Sequence, residues 1–130
     1  MSVESGLFAK LSADSDVTSV CGNRIYPIVY PQETPLPGLV YEVVDQPPHR
    51  NLGQPATRWV SRVRLSAHAD SYAVASELLA AARGALDHKT GDWDGTTRVT
   101  GCWIEMGKQD GWDPETLTYE AACVLAIVHN

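Results

Sequence analysis

One continuous stretch of the chain, residues 14–45, reads DSDVTSVCGNRIYPIVYPQETPLPGLVYEVVD. Its composition predicts a short capped helix, then a proline-punctuated extended segment, then a strand. Asp14 is a good N-cap, because its side chain can accept hydrogen bonds from the free amides of a helix start. Gly22 fits the left-handed position that commonly ends a helix. The stretch contains no nucleophile–base pair, no phosphate loop and no paired metal ligands, so it predicts structure and not chemistry.

Prolines punctuate residues 26–38 within this stretch. Proline has no amide donor, and it pushes the preceding residue towards extended geometry. The segment is therefore predicted to run over the surface or along a sheet edge. Two interpretations stay open: a simple connector, or a contact arm for a neighbouring subunit. The prolines are Pro27, Pro31, Pro35 and Pro37.

Two strands follow, separated by a polar loop. Residues 39–44 are rich in β-branched and aromatic side chains, which favours a strand. Residues 47–57 form a Pro- and Gly-rich loop that is longer than a tight hairpin needs, and such loops are usually mobile or functional. Residues 58–68 alternate between an apolar and a charged face, which predicts a sheet that is covered on one side only.

Two helices can be read from apolar spacing. Residues 3–12 place Val3, Leu7, Phe8 and Leu11 on one face, as a helix packed on a core requires. The main helix is predicted over residues 71–87, with Asp70 or Ser71 as its cap.

The remaining elements complete an α–α–β–β–α–β–β order. A strand is predicted over residues 96–106, a loop over 107–114 and a last, most apolar strand over 117–129. This order predicts an α+β fold with a four-stranded, mainly antiparallel sheet and helices packed on one face. With 130 residues, the chain is predicted to be one domain, residues 1–130.

Composition narrows the functional classes. The formal net charge is −6, with 10 Lys and Arg against 16 Asp and Glu. Tight nucleic-acid binding needs clustered Lys and Arg, so it is disfavoured, although DNA passing nearby without binding is not excluded. The odd number of cysteines favours reduced thiols in a cytoplasmic compartment. The first residues predict no signal peptide, and no apolar run approaches the roughly 20 residues that cross a bilayer.

Side chains that carry chemistry do not form a recognisable motif. Cys102 and Cys123 fall in predicted strands and are expected to pack as small apolar groups, while a Cys–His pair formed only by folding stays open. We therefore predict no catalytic residue, no metal and no cofactor. The four histidines lack the short spacing of zinc ligands; they are His49, His68, His88 and His129.

Acidic residues cluster in two of the predicted loops. Their spacing does not match a calcium-binding EF-hand loop, and neighbouring glycines mark ordinary turns. They are predicted to be solvated loop acids. The two clusters are Asp87, Asp92 and Asp94, and Asp110, Asp113 and Glu115.

Arg58, Arg62 and Arg64 are the most informative charged set. Alternate side chains of a strand share a face, so the three form a ridge. Glu42 and Glu120 are predicted to oppose this ridge from neighbouring strands. Three interpretations of the ridge stay open: a solvated, salt-bridged outer face, a subunit interface, because arginine is enriched at interfaces, and a surface that reads nucleic acid.

Two tryptophans, Trp93 and Trp112, fall in predicted loops. A loop tryptophan either folds back to cap the core or anchors a partner, as buried aromatic residues do at interface hot spots. Both are kept as candidate interface residues.

Taken along its length, the chain resembles the tail-completion (tail-terminator) family of long-tailed bacteriophages and prophages. The resemblance spans about residues 5–128. It is carried by LSADSDVTSVCGNRIYP (residues 11–27), by PQETPLPGLVYEVVD (31–45), by a strand ending in Ala-His-Ala-Asp (67–70) and by the Ala-rich helix. Its most specific parts are residues 23–27 and 36–37.

The resemblance implies a small, non-enzymatic α+β subunit without a cofactor. Such subunits close into a homohexameric ring that caps the finished tail tube, stops its growth and presents a surface to the head. The implied partners are further copies of the chain, the tail tube protein and a head-completion or connector protein. DNA would pass through the ring without specific binding, and no membrane is involved. The implied location is the tail or neck of the virion, after assembly in the host cytoplasm.

Exposed loops of the family tend to order only on assembly. The resemblance therefore adds His49, Arg50 and Asn51, of the 47–57 loop, to the candidate interface residues. Three rival functions stay open: another phage neck or minor tail component of the head-closure type, a small enzyme, and a nucleic-acid-binding module.

Overall fold

The computed structural model describes residues 3–46, 48–49 and 58–130, with only the backbone described at 48 and 49. Within these ranges three helices are present: α1 (Val3–Ala13), α2 (Ser15–Cys21) and α3 (Tyr72–Leu86). All three were predicted, with ends within two residues. None of the described helices has the length and hydropathy that a bilayer crossing requires.

The helix caps follow the sequence. The Asp14 Oδ1 atom accepts hydrogen bonds from the amides of Asp16 and Val17, at 2.9 and 3.1 Å. Ser71 caps α3, because its Oγ accepts from the Val74 amide at 3.2 Å. Gly22 follows α2 with φ 61°, a value that glycine adopts without steric cost.

In the part of the chain that the structure describes, a seven-stranded sheet forms the second layer. The strand order is β1-β2-β4-β7-β6-β5, with β3 pairing with β4 off this path. Every pair is antiparallel except β1 with β2. The strands are β1 (Ile25–Pro27), β2 (Gly38–Asp45), β3 (Pro48–His49), β4 (Arg58–Ala69), β5 (Gly91–Asp92), β6 (Arg98–Asp113) and β7 (Thr118–His129).

The predicted four-stranded sheet is correct in class and wrong in strand number. The four predicted strands are β2, β4, β6 and β7, and they form the centre of the sheet. The three added strands are two or three residues long, too short to show an alternating pattern in the sequence. Their pairing is set by the neighbouring strand and not by their own composition.

The predicted loop over residues 107–114 is also wrong. Strand β6 continues to Asp113, and Gln109–Asp113 pair in regular register with residues 118–122 of β7. Glycines and charges suggested a turn there, but pairing with the strongly apolar β7 outweighs local propensity. The turn is confined to the four residues between the two strands.

One face of the sheet, the inner face, carries the core. Buried side chains of all three helices join the inner-face residues of β2, β4 and β7 in a single cluster, which confirms the prediction that the helices lie on one face. Burying a leucine contributes roughly 1.5–3 kcal/mol. Phe8 is 44% exposed, although its spacing assigned it to the core side of α1. The largest buried core residues include Leu7, Leu11, Leu65, Leu78, Leu79, Leu86, Leu125 and Ile127.

The opposite face is the outer face. Read across β2, β4, β7 and β6, its rows are Gly38–His68–Glu120–Gly111, Val40–Ser66–Ala122–Gln109 and Glu42–Arg64–Val124–Met106.

Candidate subunit interface

The arginine ridge lies on the outer face and is salt-bridged within the chain. Arg62 joins Asp45 at 3.0 Å and Glu105 at 2.8 Å. Arg64 joins Glu120 at 2.7 Å and also donates to the Ser66 Oγ atom. The hydrogen bond to Glu105 is the main cause that raises the pKa of Arg62, and the negative charge of Glu105 is the second. Both arginine side chains are thus held in place but stay partly exposed, with 38% of the Arg62 side chain and 37% of the Arg64 side chain accessible.

The sequence predicted one of these partners correctly. Glu120 pairs with Arg64, as predicted, whereas Glu42 faces Arg64 only as its register neighbour on β2. Asp45 and Glu105 were missed. Both lie beside register shifts, in β2 and β6, and such bulges redirect side chains in a way that strict alternation does not reveal.

Small outer-face residues are buried although the helices pack on the other face. Ser66, Ala122 and Ala126 are each at most 3% exposed. Trp103 lies opposite Ala126, and Arg62 is its other register neighbour. Long side chains of the sheet therefore cover the shorter ones between them.

Apolar side chains are nonetheless exposed on and beside this face. Trp103 is 41% exposed, Met106 51% and Val44, at the bulge of β2, 48%. None of the three was singled out from the sequence. Exposed apolar groups on a charged sheet face are a feature of interaction surfaces.

A groove of about 730 Å³ opens at the end of the sheet where β4 and β6 finish. One wall is the segment 29–36, and the other is the β6–β7 turn with Trp112, which is 52% exposed. His68 and Glu120, neighbours across β4 and β7, form its floor. Sequence could not show this groove, since its walls are about 80 positions apart in the chain.

Tyr30 fixes the proline-rich wall of the groove. Its ring lies so close to Gly38 that a Cβ there would overlap it. Its hydroxyl donates to the Pro35 carbonyl, and its ring centroid lies 5.4 Å from Tyr26 and 5.5 Å from His68. Burial raises the pKa of Tyr30 and lowers that of His68, where Glu120 acts in the opposite direction.

The wall that bears Trp112 is tied to the start of α3. Lys108 Nζ donates to the Tyr72 hydroxyl at 2.7 Å, and this hydroxyl donates to Asp110 at 2.8 Å. The Trp112 ring lies 6.2 Å from Tyr119, which in turn contacts Tyr72. Asp110 and Asp113, which were predicted to be solvated loop acids, are part of the paired strand β6, whereas Glu115 lies in the turn between β6 and β7.

The two candidate tryptophans occupy different environments. Trp93 is 6% exposed and belongs to the core cluster, which favours the core-capping interpretation. Trp112 is exposed and lines the groove. His49 is described by its backbone only, in β3, and Arg50 and Asn51 lie outside the described residues. The interface prediction for this loop therefore stays a prediction.

A buried serine and histidine meet on β4 and β7. Ser61 Oγ lies 2.6 Å from His129 Nε2 and accepts from Gln46 Nε2 at 2.8 Å. His129 Nδ1 lies 2.9 Å from the Asn130 oxygen, so in the tautomer that donates there, Nε2 accepts the Ser61 hydroxyl. Only the scattered positions of the histidines were noted from the sequence.

This pair has the elements of a nucleophile and a base, but Ser61 is 0% and His129 4% exposed. The groove floor at His68 is seven residues away along β4, roughly 23 Å at strand spacing. The geometry serves to bond β4 to β7 and to the end of β2.

The cysteines are buried and poorly suited to nucleophilic attack. Burial raises the pKa of Cys102 to about 12 and that of Cys123 to about 11. Cys21 is also buried, and its pKa is raised for the same reason. In the part of the chain that the structure describes, no group of three or more His, Cys, Asp or Glu could hold a metal ion.

Comparison with known proteins gives one family and a similar solved structure. The family described as "Tail completion protein gp17" matches residues 5–130. A chain of a structure titled "Virion of native gene transfer agent (GTA) particle" is 20% identical, with a TM-score of 0.70. The match covers 95% of this chain and 92% of that one, and at this identity it shows a shared fold. No curated protein matches.

Proposed function

This chain belongs to the tail completion protein gp17 family, a family of structural phage tail proteins, and we propose that it closes the end of the tail tube as a ring. In this proposal the ring stops tube growth and presents the surface that the head joins. Its partners are further copies of the chain, most simply six, the tail tube protein and a head-completion or connector protein. It acts in the tail or neck of the virion after assembly in the host cytoplasm.

The observation that carries this proposal is the unequal covering of the two sheet faces. The helices and the core close the inner face, whereas among the described residues the outer face is covered by its own side chains and by the segment that holds Tyr30. Trp103 and Met106 remain about half exposed there, and Trp112 is about half exposed at the groove beside it. A surface that combines exposed tryptophan with arginine has the composition of a binding surface.

The charge of the chain fits a passage for DNA. Each subunit carries a formal charge of −6, so a ring of such subunits repels phosphates and lets the genome slide past. An acidic subunit gives no electrostatic affinity for nucleic acid, which disfavours a nucleic-acid-binding role.

The test is assembly on purified particles. The protein is added to uncapped tails and, separately, to tailless heads, and bound protein is located by electron microscopy. Its mass is measured alone at several concentrations by sedimentation. The proposal predicts a ring at one end of the tail tube, an arrest of tube lengthening and restored joining to heads.

Two outcomes would overturn this proposal. Binding to tailless heads with no affinity for tail ends would identify a head-closure component instead. A monomer that binds neither particle would remove the structural role altogether.

A further inference from the structure

The groove at one end of the sheet is acidic and partly apolar. Glu33 and Asp113 are exposed on its two walls, and Glu120 lies on its floor. Val29 and Trp112, which are 67% and 52% exposed, add apolar surface. A ligand that fits must bring both a positive charge and an apolar group.

The other end of β4 carries both groups. Arg58 and Trp59 begin this strand, and both are exposed, with Trp59 at 40%. Because they are consecutive in a strand, their side chains project from opposite faces of this corner. This corner lies ten residues from His68 of the groove floor, roughly 33 Å along the strand. A subunit therefore cannot insert its own corner into its own groove.

We propose that the groove of one copy receives the Arg58–Trp59 corner of the next copy in the ring. This inference rests on the proposed ring and names the contact that builds it. Two different patches on opposite ends of one subunit make a head-to-tail contact, and such contacts close into rings when the rotation allows.

The chemistry of the two patches is complementary. In the proposed contact the corner enters between the two walls of the next copy's groove. The guanidinium of Arg58 pairs with Glu33 on one wall, since carboxylates are the preferred partners of its planar fork. The Trp59 indole, which projects the other way, packs against Trp112 on the opposite wall. A volume of about 730 Å³ falls within the range of roughly 300–1,000 Å³ of pockets that bury a ligand. Tryptophan and arginine are the residues that most often dominate binding energy at protein interfaces.

The test uses charge reversal at each end of the contact. Arg58→Glu changes the corner and Glu33→Lys changes the groove. Each variant is expected to weaken self-association at least tenfold, as measured by sedimentation and by the fraction of tails capped. The matched controls are Lys89→Glu and Glu77→Lys, which make the same charge changes at exposed positions outside both patches. They are expected to assemble like the unmodified protein, and thermal melting confirms that each variant folds.

Two combinations make the test specific to this contact. The chain with both Arg58→Glu and Glu33→Lys is expected to regain assembly, because the charges again oppose each other. An equal mixture of the two single variants is also expected to assemble, with the two variants alternating along the ring. Each unchanged corner then meets an unchanged groove and each Arg58→Glu corner meets a Glu33→Lys groove, whereas contacts between identical copies place like charges together.

Failure of this inference is distinguishable from failure of the proposed ring. If the unmodified protein forms rings on tails and both single variants do so equally well, the corner–groove contact is refuted and the ring stands. If the variants form normal oligomers but lose tail or head binding, the groove serves another partner. If the unmodified protein forms no ring even on tails, both proposals fall.

Discussion

The effect of Gly38→Ala on stability is expected to depend on Tyr30, the residue that faces it: destabilising when Tyr30 is present, and neutral or stabilising when Tyr30 is removed. At ordinary backbone angles, replacing glycine by alanine stabilises a protein by roughly 0.4–1 kcal/mol, because the unfolded chain loses freedom. Gly38 has no positive φ, so its backbone accepts alanine. The Tyr30 ring, however, occupies the space that the new methyl group needs.

The magnitude follows from this overlap. The three atoms nearest to the added Cβ all belong to the Tyr30 side chain, and the Cβ would overlap them. The ring must therefore leave its position above the sheet. Extra methyl groups in a packed site cost about 1–3 kcal/mol. Tyr30 also loses its contacts with Tyr26 and His68. We expect Gly38→Ala to destabilise the protein by about 1–3 kcal/mol in total, within that range for overpacking.

Urea unfolding measures the effect of Gly38→Ala on stability in two backgrounds, with Tyr30 present and with Tyr30 replaced by alanine. In the unmodified protein, Gly38→Ala should lower the midpoint by roughly 0.5–1.5 M, for a slope of about 2 kcal/mol per M. In the Tyr30→Ala background, the same change should be neutral or stabilising. Gly84→Ala is the matched control: it lies in α3 with nothing within 4 Å of its added Cβ, and it should stabilise by about 1 kcal/mol.

The reasoning is refuted if Gly38→Ala has the same effect with and without Tyr30. Equal destabilisation in both backgrounds would mean that the cost arises in β2 itself. Equal stabilisation would mean that the tyrosine moves aside freely, and the groove wall would then not be fixed by this contact.

Three further predictions follow from single contacts. Hydrogen bonds from Ser5 and from the Thr96 and Thr97 amides hold the pKa of Asp94 well below its usual 3.8. Asp94→Ala should therefore lower the free energy of unfolding most above pH 4, and the loss should shrink as the pH falls below 3.8 and the unfolded chain takes up the proton. A pH-independent difference in urea unfolding would contradict this prediction. Ser61→Ala leaves the buried Nε2 atom of His129 without its partner and should cost about 1–3 kcal/mol in urea unfolding; a neutral result would mean that water replaces the hydroxyl. Arg64→Glu puts like charges together at Glu120 and should weaken assembly more than folding, and unchanged oligomers in sedimentation would make the ridge a solvated face.

Local signals in the sequence were sufficient for the regular elements. Asp14 and Ser71 cap the helices as predicted, and the alternation in β4 identified which residues face the core. These features depend on residues within a turn or a strand of one another. The tail-completion resemblance over residues 5–128 was likewise confirmed by the family match over residues 5–130.

Features that depend on distant partners were not predictable. Strand β6 is long because β7 pairs with it, and its own glycines gave the opposite indication. The partner carboxylates of Arg62 come from residues 45 and 105, each at a register shift. The groove joins two segments whose positions are set only when β2, β4 and β7 align. Alternation within a strand contains no information on where the neighbouring strand will shift its register.

The distance between the two ends of β4 explains why assembly, and not folding, would use the exposed tryptophans. Trp59 and the groove beside Trp112 lie at opposite ends of the sheet, so no rearrangement within a folded subunit can bring them together. Each remains exposed in the isolated chain, and in the proposed ring each gains a partner from another copy. A head-to-tail chain of copies would leave one corner and one groove unsatisfied at its ends, whereas a closed ring would leave none. The proposed contact therefore favours closure over open chains by one additional contact, as the proposed role in ending tube growth requires.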